Sequence, residues 1–416
     1  MIETQPRWSV ALLGARMHYA VPRLLHQAGL LERFYTDFCA TKGWPGLLQV
    51  VPQPLRPQGL QRLLGRVPEG IPPERIIAFN QLGWAYAQRL RRAHSTADLT
   101  AAFLWSGQAF CQLVLDQGLP DSGIYTFNSA GLEILETARQ RGQPTVMEQT
   151  IAPRALEQRL LLEEQQAFPD WQAPLGADPS LPEYIQREQR EWQTADLIVC
   201  GSAFVRDGIA ACGGPVDRCR VIPYGVDRPV APIYRPPHGG PLRVLTVGSV
   251  GLRKGSPYLL AAARQLRGKA QFRLVGPVQG VTATAQAELA DALDLVGPVP
   301  RHQIAQHYAW ADVFLLPSLC EGSATVTYEA LATGLPVICT ANAGSVVRHG
   351  QEGFLVPIRQ VGAIVAALET LATDPDLLLH LGQGARQRAM EFTLKTYRQH
   401  LVRLLVSADW QPHTPG

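Results

Sequence analysis

Two neighbouring cations stand in a glycine-rich stretch in the C-terminal half of the chain. Arg253 and Lys254 belong to residues 247–257, VGSVGLRKGSP, where the glycines begin with Gly248. Glycines let a backbone approach an anion closely, and the helix predicted to start at the end of this stretch would offer free N–H groups. The combination suits a diphosphate. The alternative is a solvated turn whose cations only aid solubility, and this stretch alone does not decide between them.

Two carboxylates, Glu321 and Glu329, stand eight positions apart further downstream. Glu321 follows an apolar strand pattern, and Glu329 falls in the helix pattern that comes next. A carboxylate is a pure hydrogen-bond acceptor and suits the hydroxyl groups of a sugar or ribose. The alternative places Glu321 at a helix start and Glu329 on the surface. For Glu329 this alternative is weak, because its neighbours are apolar.

The elements that must position these residues alternate between strand and helix patterns in both halves. The strand patterns cover residues 8–13, 99–104, 123–127, 145–147, 196–200, 243–247, 271–275, 313–316 and 337–340. The helix patterns cover residues 21–34, 81–93, 132–141, 154–167, 183–194, 257–266, 303–308 and 325–333. Such alternation predicts α/β domains with parallel sheets, whose ligands bind at the carboxyl ends of the strands.

A segment dense in Pro and Gly, residues 227–241, predicts a linker between two domains. We therefore expect an N-terminal domain over residues 1–226 and a C-terminal domain over residues 242–392. The final residues, 393–416, are expected to form a helix that crosses back to the N-terminal domain. Residues 41–75 are predicted to be an irregular insertion with one short helix.

Four stretches in order carry a resemblance to a known family. ADLIVCGSAFVRDGI with VIPYGVD, then VGSVGLRKG, then PSLCEGSATVTYEALATGLPVICT, then HGQEGFLVP resemble the retaining glycosyltransferase family 4 of the GT-B superfold. The resemblance runs from about residue 196 to residue 392. It implies two Rossmann-like doubly wound domains that face a central cleft. It also implies sugar transfer from a nucleotide-diphosphate donor to a glycan, a lipid-linked acceptor or a small molecule.

The resemblance also implies roles for individual residues. Arg253 and Lys254 would hold the donor diphosphate and stabilise it as a leaving group, Glu321 would contact the transferred sugar, and Glu329 would bind the donor ribose. The further donor contacts implied are Gly14 from the N-terminal domain and, in the C-terminal domain, Gly248, Gly322, Ser323, Ala324 and Thr325. No protein nucleophile, metal or cofactor is implied, and the one DxD-like spelling, at residues 374–376, is expected to be a helix cap.

The N-terminal half departs from the family pattern, because Thr150 stands where a histidine is usual. Glu148 or Gln149 is a candidate replacement, and Arg16 and His18 are candidates to reach the cleft from the first loop. The missing histidine keeps an alternative function open, a non-catalytic sugar-nucleotide-binding regulatory subunit of a glycosylation complex. An inverting transferase or a sugar-nucleotide epimerase fits less well with the spacing of the two glutamates.

Composition excludes several other classes. The 416 residues suit two domains, and a formal charge of +3 argues against a nucleic-acid-binding protein. Seven cysteines without CxxC spacing argue against a disulfide framework or a zinc site and favour the cytoplasm. The N-terminus is expected to be a buried strand and not a signal peptide, and no apolar run is long enough to predict a transmembrane helix.

One basic region of the N-terminal half has two interpretations. Its arginines are Arg56, Arg62, Arg66, Arg75, Arg89, Arg91 and Arg92, interspersed with leucines and Trp84. They could dock the protein on anionic lipid at the inner membrane face, where it would reach a lipid-linked acceptor. Ordinary amphipathic helices packed on the sheet would show the same pattern, and we favour this second interpretation.

Overall fold

Two parallel β-sheets organise the chain, one in each half. The computed structural model describes residues 6–50, 56, 58–226 and 239–407, with side chains except those of residues 49, 50, 58 and 62. The predicted linker, residues 227–241, falls almost wholly outside these residues. Both sheets are built from apolar strands whose residues are mostly buried, as expected for parallel sheets covered by helices on both faces.

The N-terminal sheet has seven strands in the order β3-β2-β1-β4-β5-β6-β7, all parallel. These strands are β1 (Trp8–Leu12), β2 (Leu31–Thr36), β3 (Ile76–Ala78), β4 (Gly123–Phe127), β5 (Thr145–Gln149), β6 (Leu197–Cys200) and β7 (Cys219–Val221). The helices of this half are α1 (Ala20–Gln27), α2 (Gln58–Leu64), α3 (Asn80–Arg92), α4 (Thr96–Asp116), α5 (Leu132–Gln140), α6 (Arg154–Ala167), α7 (Leu181–Thr194) and α8 (Ala203–Ala211).

The C-terminal sheet has six parallel strands in the order β10-β9-β8-β11-β12-β13. Its strands are β8 (Leu242–Val247), β9 (Ala270–Val275), β10 (Asp294–Gly297), β11 (Val313–Leu316), β12 (Val337–Thr340) and β13 (Gly353–Val356). The helices are α9 (Ser256–Gln265), α10 (Ala283–Ala292), α11 (Ile304–Trp310), α12 (Thr325–Ala332), α13 (Val361–Thr373), α14 (Pro375–Glu391) and α15 (Leu394–Val406). The expected fold class, two Rossmann-like α/β domains, is confirmed.

The last helix packs on the N-terminal domain. Helix α15 contacts α1, and its Tyr397, Leu401 and Leu405 are buried in the same apolar cluster as β1 and β2. The chain reaches this position beside the end of the N-terminal domain, because the amide of Val226 donates to the carbonyl of Phe392 at 3.1 Å. The polypeptide therefore crosses back from the C-terminal domain to the N-terminal domain just before α15.

Helix α6 and the loop after it form a further contact between the halves. Trp171 belongs to the apolar core of the C-terminal domain, and Phe168 packs edge-on against Tyr258 of α9. The hydroxyl of Tyr258 donates to Glu164 at 2.7 Å. This N-terminal segment thus rests directly on the glycine-rich stretch of the C-terminal domain, where the amide of Leu252 donates to Gln172 at 3.3 Å.

The structure corrects two element predictions. Residues 99–104 lie in α4 and are not a strand; Ser95 and Asp98 form a capping box that starts this helix. The helix pattern over residues 21–34 stops at Gln27, because Gly29 takes a φ of +75° and the following residues enter β2. An apolar run of six residues fits either element type, so the cap was the better signal.

The basic region of the N-terminal half is partly internal. Arg66 pairs with Asp37, Arg75 donates to the carbonyl of Leu31, and Arg89 stacks on Trp105 at 4.0 Å. These contacts favour the interpretation that the basic region packs on its own domain and do not favour a continuous lipid-binding face. No helix within the described part of the chain is both long and apolar enough to cross a membrane.

Candidate functional site

The glycine-rich stretch after β8 forms a tight turn that faces β11. Gly251 takes a φ of +156° and its amide donates to the hydroxyl of Ser256 at 3.0 Å. Gly255 takes a φ of +69°, and a Cβ there would overlap the carbonyl oxygen of Pro317. Only glycine fits such a position without strain. The turn between these glycines therefore carries Arg253 and Lys254 across to the loop that follows β11.

The three residues predicted to be catalytic meet at this point. Lys254 Nζ lies 2.6 Å from Glu321 Oε1, and Arg253 Nη1 lies 3.1 Å from the same oxygen. Arg253 also donates to the carbonyl of Cys320 at 3.0 Å. The side chains of Lys254 and Glu321 are only 16% and 11% exposed, so solvent screens their interaction weakly.

The environment acts differently on the two cations. Burial lowers the pKa of Lys254, and Glu321 only partly opposes this effect. Burial would also lower the pKa of Arg253, but the carboxylates of Glu321 and Glu157 outweigh burial and raise it. The arginine is therefore a fixed positive charge. A polyanionic ligand would reinforce the charge of the lysine beside it.

The loop after β11 is held by the turn after β12. The amide of Glu321 donates to Asn342, and the amide of Ala324 donates to Ala343 at 3.0 Å. The hydroxyl of Ser323 bonds to that of Tyr328 at 2.8 Å. The amide of Ala324 thus has a backbone acceptor, and the implied contact of Ala324 with the donor stays a prediction. Thr325 is exposed at the first residue of α12.

The same loop touches the N-terminal domain at Gly322. Its carbonyl accepts the hydroxyl of Ser202 at 2.5 Å, and a Cβ at Gly322 would overlap the carbonyl oxygen of Thr150. A glycine is thus required here by the close approach of the two domains. Gly248, whose φ is +154°, lies against the side chain of Lys254 in the neighbouring turn.

Glu329 occupies a separate place on α12. It is half-buried, and its Oε2 accepts the hydroxyl of Tyr308 from α11 at 2.9 Å. Burial raises the pKa of Tyr308 well above its usual value, and Glu329 adds to the effect, so the tyrosine stays a hydrogen-bond donor. Tyr308 was not predicted, because nothing in its helix pattern distinguishes it from a core residue. This arrangement fixes the carboxylate while leaving its other oxygen for a ligand.

Gly14 lies at the rim of the cleft, but its amide is already engaged. It takes a φ of +96°, and its N–H donates to Asp37 Oδ1 at 2.9 Å. Asp37 is fully buried and also accepts Arg66 Nη1 at 2.9 Å. The carboxylate of Asp37, at the end of β2, thus holds the amide of Gly14, and the implied position of Gly14 opposite the donor diphosphate stays a prediction.

Glu148 and Gln149 do not replace the missing histidine. Both are buried inside the domain. Glu148 accepts the hydroxyls of Tyr125 and Tyr224 at 2.6 and 2.7 Å, and Gln149 donates to Glu188 at 2.7 Å. Burial raises the pKa of Glu148. Their hydrogen bonds stabilise the core beneath the site.

The first loop supplies the other two candidates. Arg16 lines a cavity in the N-terminal domain, and His18 contacts Arg301 of the C-terminal domain through Nε2. Because the guanidinium can only donate, this contact requires the neutral imidazole to accept. His18 therefore bridges the domains, whereas Arg16 stays available to a ligand.

A carboxylate that sequence reasoning missed joins the two halves of the site. Glu157 Oε2 accepts Arg154 Nη1 at 2.7 Å, and Glu157 Oε1 lies 3.9 Å from Arg253 Nε. The five side chains from Arg154 through Glu157, Arg253 and Glu321 to Lys254 alternate in charge. No motif singles out Glu157, because its partner Arg253 is distant in sequence and only folding brings them together.

Two cavities meet at this chain of charges. The larger, about 670 Å³, lies in the N-terminal domain, and the smaller, about 260 Å³, lies against the glycine turn. Arg154, Glu157 and Arg253 line both cavities. The site thus has two compartments that share one charged boundary, an arrangement suited to two ligands that react with each other.

Within residues 6–50, 56, 58–226 and 239–407, no group of three or more His, Cys, Asp or Glu side chains could hold a metal ion. The DxD-like spelling is a helix cap, as predicted. Asp374 accepts the amide of Leu377 at 2.9 Å, and Pro375 is the first residue of α14.

The C-terminal domain matches a known protein family. Residues 241–374 match the family of glycosyl transferases group 1. The chain is 30% identical over 244 residues to the putative colanic acid biosynthesis glycosyltransferase WcaL of Salmonella typhimurium, covering 54% of this chain and 60% of that protein. It is 30% identical over 233 residues to a D-inositol 3-phosphate glycosyltransferase of Pseudarthrobacter chlorophenolicus, covering 50% and 56%. The chain therefore spans less than two thirds of either relative.

Solved structures extend the likeness to the whole fold. Sucrose-phosphate synthase from Thermosynechococcus elongatus superposes with a TM-score of 0.64 at 20% identity, covering 96% of this chain and 98% of that one. Anabaena HepE, solved with UDP and glucose, gives a TM-score of 0.59 at 15% identity, covering 97% and 100%. The fold of the chain is that of the GT-B glycosyltransferases.

Proposed function

We propose that the protein is a retaining glycosyltransferase of the family 4 type that moves a sugar from a nucleotide-diphosphate donor to a glycan, lipid-linked or small-molecule acceptor. The observation that carries the proposal is the meeting of Arg253, Lys254 and Glu321 beside a cavity of the opposite domain. The group 1 match over the C-terminal half supports it. HepE, which shares the fold, was solved with UDP-glucose.

Different residues of the C-terminal domain bind different parts of the donor. Arg253 and Lys254 bind the diphosphate and neutralise the charge that grows on it as the glycosidic bond breaks. When the donor binds, the two cations leave Glu321 and contact the phosphates. Glu321 then accepts hydrogen bonds from sugar hydroxyls. Glu329, oriented by Tyr308, accepts the ribose hydroxyls. The amides of Gly322 and Ser323, at the junction of the domains, complete the contacts to the sugar.

Retention needs no protein nucleophile in this proposal. The acceptor hydroxyl attacks from the face that the diphosphate leaves, and the departing phosphate receives its proton. Two cations do the work that a metal would do elsewhere, so no metal or cofactor is required. Contact between the domains excludes water from the reacting atoms, which limits hydrolysis of the donor.

The names of relatives suggest the kind of product. Two relatives are named for the biosynthesis of colanic acid and of amylovoran, which points to polysaccharide biosynthesis, and a third relative is named for an inositol phosphate. The alternative proposal is a non-catalytic sugar-nucleotide-binding subunit. It rests on Thr150, which bonds to Asn128 at 2.7 Å and places no titratable group at the usual position of the histidine.

Donor binding and turnover together test the proposal. The purified protein is screened by thermal shift and by donor hydrolysis against UDP-, GDP- and ADP-sugars, beside Glu329→Ala. Glu288→Ala, which removes an exposed C-terminal-domain glutamate paired with Arg264, is the matched control. One nucleotide family should raise the melting temperature of wild type and control but not of Glu329→Ala. Binding without turnover would favour the regulatory subunit, and no shift with any donor would contradict both proposals.

A further inference from the structure

The larger cavity lies where an occupant would meet the donor site. It opens at the carboxyl ends of β1 and β4, beside Gly14 and Asn128. Helices α4, α6 and α7 contribute its walls, and Arg253 reaches it from the C-terminal domain. An occupant would therefore contact the same guanidinium that is proposed to hold the donor diphosphate. This position suits the acceptor.

The walls combine aromatic and polar groups. Phe103 and Phe127 supply apolar ring faces, and Tyr86 adds a ring with a polar end. Glu157 and Glu188 supply carboxyl oxygens. Flat apolar surface beside a few polar atoms is the usual lining of a cavity for a small hydroxylated ligand.

Of the arginines that line the cavity, one has no carboxylate in contact with it among the residues that the structure describes. Arg154 is paired with Glu157, and Arg253 is paired with Glu321. Arg16 is exposed, and its side chain makes no hydrogen bond or ion pair within the described part of the chain. Arg16 also lies within electrostatic range of Glu148, but that carboxylate is buried and bound by two tyrosine hydroxyls.

Asn128 offers a second donor in the same cavity. Only 4% of the residue is exposed, and its Oδ1 accepts both the amide and the hydroxyl of Thr150. Its Nδ2 makes no hydrogen bond to any residue that the structure describes. Because Asn128 lines the cavity, this free amide group can donate to an acceptor atom of a ligand there.

The backbone of the first loop presents Arg16 in a fixed way. Met17, His18 and Tyr19 take φ values of 45°, 51° and 61°, which non-glycine residues rarely adopt. Such strain persists where surrounding contacts hold it, as the buried Tyr19 and the His18 contact to Arg301 do here. Arg16 is thus positioned by a constrained turn and not by a mobile surface loop.

We propose that this cavity binds a glycosyl acceptor that carries an anionic group, a phosphate or a carboxylate, and that Arg16 and Asn128 bind that group. The inference rests on the proposed glycosyltransferase function and specifies its acceptor. Glu157, between Arg154 and Arg253, accepts a hydroxyl of the same molecule at the donor side.

The experiment compares anionic and neutral probes on the full chain. The donor site is first saturated with the nucleoside diphosphate that the donor screen identifies. Calorimetry then measures the binding affinities of three anionic probes, myo-inositol 1-phosphate, glucose 6-phosphate and glucuronate. They are compared with the affinities of the neutral probes myo-inositol and glucose. The variants are Arg16→Gln and Arg206→Gln, the latter changing an exposed arginine of α8 outside the cavity. The same probes are tested as acceptors with the identified donor.

We expect an anionic probe to bind at least about tenfold more tightly than its neutral counterpart, the worth of one charge-assisted hydrogen bond. Arg16→Gln should abolish this preference, and Arg206→Gln should keep it. The phosphate and carboxylate probes distinguish the two anions.

Equal binding of charged and neutral probes would overturn the inference, as would failure of every anionic probe to bind. A weaker affinity of Arg16→Gln for the nucleoside diphosphate, with the preference unchanged, would assign Arg16 to the donor and also overturn it. These results leave the glycosyltransferase proposal standing, provided that the wild type binds and turns over a donor. Absence of donor binding is instead a failure of that proposal.

Discussion

The ammonium of Lys254 lies 2.6 Å from the same carboxylate oxygen of Glu321 that Arg253 approaches at 3.1 Å. One carboxylate oxygen therefore contacts two cations in a poorly exposed position, and the three groups together keep a positive charge. In the proposed function a diphosphate displaces this carboxylate from both cations, because it carries more negative charge. The proposed donor site is thus assembled in advance, with Glu321 occupying the place of the phosphates.

Replacement of Glu321 by Gln should separate binding from catalysis. The two cations would lose the carboxylate that competes with the donor, so the affinity for the nucleoside diphosphate should rise a few-fold. The transferred sugar would lose a charged acceptor, and kcat should fall by about 100-fold. Calorimetry and steady-state kinetics measure the two effects. A parallel loss of affinity and kcat would show instead that Glu321 only holds the loop together.

Replacement of Lys254 by Gln should weaken binding of the nucleoside diphosphate by about 10- to 100-fold, because one charge-assisted hydrogen bond is lost. Because the side chain of Lys254 is only 16% exposed, salt should screen its interaction with the diphosphate weakly, and the loss should be similar at low and high ionic strength. Titrations at low and high ionic strength measure it. Lys269→Gln, which removes an exposed lysine paired with Glu369, is the control. Equal affinities for the two variants would contradict the role of Lys254.

How far the sequence predicts this site depends on how its residues are connected. Arg253 and Lys254 follow one strand, and Glu321 follows the neighbouring strand. Parallel strands bring such loops to one edge, so local pattern and the family resemblance suffice. Glu157 and Asp37 were missed, since their partners Arg253 and the Gly14 amide come from distant parts of the chain. Only tertiary packing pairs them.

The same distinction applies to the fold. Most strands and helices were predicted within a few residues, because apolar runs and glycine stops are local signals. The error at residues 99–104 arose where a short apolar run is compatible with both element types. The docking of α6 on the C-terminal core, through Trp171, has no local signal at all.

Removal of Asp37 should destabilise the N-terminal domain strongly. Asp37 is buried with Arg66 and also holds the amide of Gly14. Asp37→Ala would leave a largely buried guanidinium without its partner, at a cost of about 3–5 kcal/mol in the free energy of unfolding. Urea denaturation measures it. Glu32→Ala, which breaks the exposed pair with Arg7, should cost less than about 1 kcal/mol. Similar losses for both variants would contradict the prediction.

Glu188 should make stability depend on pH. Burial raises its pKa from the ordinary 4.5 to about 8. The folded protein therefore keeps a proton on this group that the unfolded chain releases, so stability falls as pH rises from about 4.5 to about 8. Glu188→Gln mimics the protonated form and escapes this loss. The variant should match wild type in free energy of unfolding at pH 5 and exceed it at pH 8.5.

Urea denaturation of wild type and Glu188→Gln across this pH range measures the difference. Glu183→Gln, which changes an exposed glutamate on the same helix, is the control and should show no pH-dependent gain. The carboxylate of Glu188 accepts Gln149 Nε2 at 2.7 Å and the amide of Arg154 at 2.9 Å. If these two donors dominated over burial, the carboxylate would stay ionised in the folded state. Glu188→Gln would then be less stable than wild type at both pH values, which would contradict the raised pKa.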